Sequence, residues 1–162
     1  MPTRLAATLA GLALLAGVPS VTTPIPLPNH SLTPRHAFPD VTAATVCRAG
    51  YASSVRAVPS REKRAVYRRY GLLHHARGRY VIDHLIPLEL GGDNTALNLW
   101  PEPATGPANS HDKDGLEDYL HRAVCTGREP LAQAQRAIAT NWYTAWVAAG
   151  RPALPRYAGD GA

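Results

Sequence analysis

The chain is poor in the residues that build soft-metal knuckles and covalent active sites. It has two cysteines, Cys47 and Cys125, and their wide separation excludes a Cys-x-x-Cys zinc knuckle. It has no glycine-rich phosphate loop and no nucleophilic Ser or Cys motif, so neither nucleotide hydrolysis of the P-loop kind nor acyl transfer is indicated. No internal repeat is present, which excludes a solenoid. Nor is there a long apolar run. The longest, residues 5–18 behind Arg4, is too short for a comfortable transmembrane helix. It fits the apolar region of a secretory leader, with cleavage after Ser20 because Val18 and Ser20 are small. The alternative for this run is an uncleaved membrane anchor. With a leader at 1–20 the mature protein is secreted, periplasmic or held in the cell envelope, with no stable membrane insertion. In that setting Cys47 and Cys125 are expected to form one disulfide. Closing a loop of this length stabilises by roughly 4–5 kcal/mol in the chain-entropy model.

What is there is mostly positive. The net charge of the 162 residues is +5, and loss of 1–20 removes only Arg4. The distribution says more than the total. Arg56, Arg61, Lys63, Arg64, Arg68, Arg69, Arg77 and Arg79 lie in 56–79, opposed only by Glu62. Asp83, Glu89, Asp93, Glu102, Asp112, Asp114, Glu117 and Asp118 lie in 83–118, opposed only by Lys113. A basic segment beside an acidic one suits a phosphate-gripping surface next to a cation site. An ordinary solvated helix and loop is the alternative.

Residues 21–44 carry Pro24, Pro26, Pro28, Pro34 and Pro39, which prevent regular helix or sheet. They read as an extended linker, ordered only where it lies on the domain, with His30 and His36 inert. The folded domain is expected over 45–149 and a loose tail over 150–162. A helix is expected from Ser60, as N-cap, to Gly71, with Val66, Tyr67 and Tyr70 inward and Arg61, Arg64, Arg68 and Arg69 outward. A second begins near 109–111 and runs through Leu116, Leu120 and Val124 to Gly127. A third follows Pro130, with Leu131, Ala134 and Ile138 on one face and Trp142, Tyr143 and Trp146 closing the core.

The organising stretch is Tyr80-Val81-Ile82-Asp83-His84-Leu85-Ile86-Pro87-Leu88-Glu89-Leu90-Gly91-Gly92. A strand over 79–82 leads to the polar pair Asp83-His84. Gly91-Gly92-Asp93-Asn94 turns the chain, and Ala96 to Trp100 returns as a strand ended by Pro101. Asn98 stands fourteen residues after His84, and His111 thirteen after that, at a helix mouth. On an extended strand Asp83 and His84 point to opposite sides, so one site can use both only at a bulge or a strand end.

This order of residues resembles the HNH nuclease family, over about residues 45–147. The resemblance implies an α+β fold with a ββα-metal core, a hairpin followed by a helix, plus flanking helices. It implies one divalent metal ion (Mg, Mn or Zn) held by Asp83 and His111 (or Asn109), His84 as the base that deprotonates water, and Asn98 orienting the loop that carries His84. Neutral imidazole suits that role near neutral pH. Individually these residues have plainer readings: Asp83 as a turn cap, His84 as a satisfied core histidine, Asn98 and Asn109 as loop and helix caps. The expected activity is hydrolysis of nucleic-acid phosphodiesters with little sequence preference, DNA being favoured over RNA. Grip is expected from Arg61, Arg64, Arg68, Arg69, Arg79 and Lys113. Two other readings stand: a non-catalytic exported nucleic-acid-binding protein that keeps the fold, and a disulfide-held interaction domain of the cell envelope.

Overall fold

The computed structural model describes residues 25–154. The leader expected at 1–20 and most of the tail expected at 150–162 lie outside them. Among the described residues the fold is α+β, a two-stranded antiparallel hairpin set among helices. In chain order the elements are α1 (Ala43–Val46), α2 (Tyr51–Val55), α3 (Ser60–Arg69), β1 (Tyr80–His84), a single 3-10 turn (Leu88–Leu90), β2 (Leu99–Pro103), α4 (Ser110–Cys125) and α5 (Leu131–Ala148). None of the described helices is long and apolar enough to cross a membrane.

α4 is the central element. Asn109 caps it through a capping box with Asp112, which satisfies donors that a helix start leaves free. Leu116, Leu120 and Val124 fall on one face and are buried as their spacing predicts. They pack with Ala134, Ile138 and Trp142 of α5 and with Leu85, Ile86 and Leu90 of the loop between β1 and β2. The Cys47–Cys125 disulfide ties the end of α1 to the end of α4, across 78 residues.

The structure corrects several expectations. Pro59, not Ser60, occupies the N-cap of α3 and gives no side-chain cap bond. Ser60 is already helical, because proline's fixed φ and extended ψ make the entry turn. At the other end Gly71 takes a positive φ of 69°, and Leu72 N–H closes onto the Tyr67 carbonyl. The return strand begins three residues later than expected, pairing Asp83 with Trp100 and His84 with Leu99. Pro101 lies inside it, opposite Ile82. In a two-stranded sheet each strand has an open edge, so a missing N–H is tolerated. α5 breaks at Asn141 (φ −162°, ψ 94°), where the Asn141 side chain accepts from Thr144 N–H at 3.0 Å and caps the second half.

The described part of the proline-rich segment lies on the domain. Thr33 is fully buried, donating to the Leu99 carbonyl at 2.9 Å and meeting the Tyr70 hydroxyl at 2.7 Å. Ala37 bridges Gly92, and His36 Nδ1 lies 2.8 Å from Asp93 Oδ2. Residues 25–41 therefore brace the loop between the strands from outside.

Candidate functional site

Asp83 and His84 end β1, and their side chains reach different partners, as alternation along a strand requires. The His84 ring is buried and meets Asn94 Oδ1 through Nε2 at 3.2 Å. Asn94 is itself pinned, since Nδ2 donates to the Val55 carbonyl at 2.8 Å and Oδ1 accepts from Ala57 N–H at 3.1 Å. A carbonyl oxygen only accepts, so His84 Nε2 carries the hydrogen. In the neutral ring the lone pair then sits on Nδ1, which makes no hydrogen bond among the described residues. Burial lowers the His84 pKa, and the neighbouring Asp83 charge only partly offsets it. The ring is thus neutral near pH 7, with its basic nitrogen defined by Asn94.

The loop after His84 is held by Asn98, fully buried. Its Oδ1 accepts from Ile86 N–H at 2.9 Å, and its Nδ2 donates to the Ile86 and Asp93 carbonyls at 2.8 and 3.0 Å. Leu85 N–H donates to the Asn98 carbonyl at 2.7 Å. Gly92 makes this clamp possible. A Cβ there would stand 1.7 Å from the Ile86 oxygen and 2.6 Å from Asn98 Nδ2. Asn94 and the clamp residue Asn98 thus both belong to the loop between β1 and β2, one fixing the His84 ring and the other the backbone behind it.

Asp83 faces α4. Its Oδ2 accepts from the Lys113 ammonium at 2.6 Å. Lys113 also donates to the His84 carbonyl at 2.7 Å and to Glu117 Oε1. Burial alone pushes Asp83 up, but Lys113, Glu102 and His84 together outweigh it and hold the carboxyl below its usual range. Burial likewise works against the Lys113 charge, yet Asp83 and Glu117 raise its pKa well above that of ordinary lysine. Glu117 is pushed up to about 8 by burial, with Asp83 and Glu89 adding to the rise against Lys113. Glu102 is fully buried close to Asp83, its oxygens without a well-formed hydrogen bond, and burial raises it well above the ordinary carboxylate range. Asp114, half-buried, is raised by burial and then by the field of Asp83. The Arg56 charge reaches both His84 and Asp114, lowering each.

The other predicted residues are spread apart. His111 stands in the first turn of α4, highly exposed, 3.8 Å from Asp114 and with no hydrogen bond to Asp83. Asn109 is occupied by capping and by the Gly106 carbonyl. Lys113, expected on a nucleic-acid-facing surface, is fully buried, so that assignment is corrected: the Asp83 and Glu117 carboxylates draw it inward. Arg61, Arg64 and Arg68 are exposed on α3. Arg69 is spent on the Ala96 and Leu32 carbonyls. Arg79 leans over the Tyr80 ring, 5.7 Å from its centre.

The metal implied by the HNH resemblance does not fit this donor set. His111 is highly exposed and Asn109 is committed to the helix cap, while the oxygens that meet at Lys113, Asp83 among them, hold an ammonium. Among the described residues one group of three His, Cys, Asp or Glu side chains has ligand atoms all within 4.8 Å: Cys47, His121 and Cys125, whose sulfurs are joined. Sequence reasoning named Lys113 but missed its contact with Glu117, and it missed the parts taken by Asn94, Glu102 and Arg56. The i,i+4 spacing of Lys113 and Glu117 is a legible signal of contact; nothing local marks the other three.

No family model, curated protein or solved structure matches the chain.

Proposed function

We propose that this protein is an exported nucleic-acid phosphodiesterase of the HNH type, with His84 as general base. One observation carries the reading: a buried, neutral imidazole whose Nε2–H is held by Asn94, leaving Nδ1 for a water, beside the carboxylate of Asp83. In this reading the water gives its proton to Nδ1, and its oxygen bonds to phosphorus. The ester bond to the departing sugar oxygen breaks, and that oxygen takes a proton from solvent. Asp83 favours the imidazolium that forms. Asn98 keeps the His84 loop in register. The exposed arginines of α3 grip phosphates without reading bases. The two cysteines joined in a disulfide are compatible with export.

A second reading is a nucleic-acid-binding protein with a silent site. The ammonium seated on Asp83 favours it, since it fills the place that the resemblance gives to a metal. Incubation of the oxidised protein with supercoiled plasmid separates the two. Nicking by wild type that His84→Ala loses supports the hydrolase. Retention of DNA without nicking under any condition supports the silent site.

A further inference from the structure

Taking the phosphodiesterase reading as its basis, we propose that Lys113 is the resident cation of this site: its ammonium fills the oxygen cage of Asp83, the His84 carbonyl and Glu117, and cleavage proceeds without a divalent ion. Three donors converge on Nζ: Asp83 Oδ2 at 2.6 Å, the His84 carbonyl at 2.7 Å and Glu117 Oε1. Two carboxylates and a carbonyl are the hard oxygen set that Mg²⁺ or Ca²⁺ takes. Here all three of an ammonium's hydrogens are used, so the cage has no open direction. The lysine comes from the first turns of α4, the element from which the resemblance draws its metal ligand. His111, one candidate for that ligand, points to solvent.

Burial agrees with the geometry: a dication entering the cage would first have to expel a fully buried ammonium. Lys113 is a positioning residue, because it touches Asp83 and the His84 backbone and is sealed from substrate. Only water is consumed, as in the step above.

The test uses the oxidised full chain stripped with EDTA. Plasmid nicking is measured in EDTA and with Mg²⁺, Mn²⁺ or Zn²⁺ added, and Mn²⁺ is titrated calorimetrically into wild type and Lys113→Ala. The expected result is nicking in EDTA that added ions do not raise and that His84→Ala loses. Wild type should give no Mn²⁺ heat, while Lys113→Ala should bind Mn²⁺ in the vacated cage. Nicking that strictly needs an added ion overturns the proposal and leaves the phosphodiesterase reading standing. No nicking under any condition overturns both. Nicking in EDTA that survives His84→Ala also overturns both, since it comes from another source. If Lys113→Ala does not fold, the wild-type arms decide alone.

Discussion

Asn98 grips both backbone groups of Ile86, accepting from its N–H at 2.9 Å and donating to its carbonyl at 2.8 Å. One side chain thus replaces a missing rung of hairpin and sets the curve of the loop behind His84. Asn98→Asp keeps the shape but loses the donor, leaving the Ile86 and Asp93 carbonyls unpaired and adding a buried charge. A buried group left unpaired costs about 1–3 kcal/mol. The variant should therefore lose at least about 2 kcal/mol in urea unfolding. An unchanged midpoint would remove Asn98 from its place as the clamp.

The Asn94–His84 pair predicts the acid side of the activity profile. Burial lowers the His84 pKa below its ordinary 6.5. Nicking should therefore hold as pH falls to 6.5 and decline only below it, as Nδ1 becomes protonated. His84→Ala should lower the rate by about 10²–10⁴-fold, the usual range for a lost base. Asn94→Ala should leave the ring present but its tautomer unspecified, lowering kcat more than it raises KM. A wild-type profile that falls already above pH 7 would argue against a buried His84 as the base.

Glu117 gives stability a pH dependence opposite in sign to that of a carboxylate whose pKa the fold lowers. Its pKa is about 8 in the fold against an ordinary 4.5, so the folded state binds more protons between those values. Stability from this group is fully present below pH 4.5 and declines as pH rises toward 8. Glu117→Gln imitates the protonated form and should flatten that decline. The check is the difference in Tm between variant and wild type, which should grow in the variant's favour from pH 5 to 8. A constant difference would mean that Glu117 stays ionised throughout.

The exposed face of α3 predicts a salt effect. Each phosphate contact contributes about 0.9 to the slope of log affinity against log salt on duplex DNA. Arg64→Ala with Arg68→Ala should weaken binding on all sequences alike and make the slope shallower by up to roughly 2. Arg69→Ala should act differently, lowering stability because it releases the Ala96 and Leu32 carbonyls. Binding is measured on the His84→Ala background. An unchanged slope in the double variant would move the nucleic acid to another face.

Much of the scaffold was legible locally. The spacing of Leu116, Leu120 and Val124 marks the buried face of α4, and Gly71 ends α3 where a positive φ is needed. Two cysteines leave one possible pairing, which is the one observed. Asp83, His84 and Asn98 stand out because their order along a turn is itself a pattern. These are properties of neighbours in the chain, governed by backbone sterics and by the 3.6-residue and two-residue periods. The tertiary structure decided the rest. Asn94 reads as a turn residue until Val55 and Ala57 come from 37 or more residues away to orient its amide. Lys113 reads as a surface cation until Asp83, thirty residues back, meets it at 2.6 Å. A helix period tells which way a lysine points, but only packing against the hairpin tells whether carboxylates wait there. A buried charge is stable only with such partners, and they come from parts of the chain that no local pattern connects.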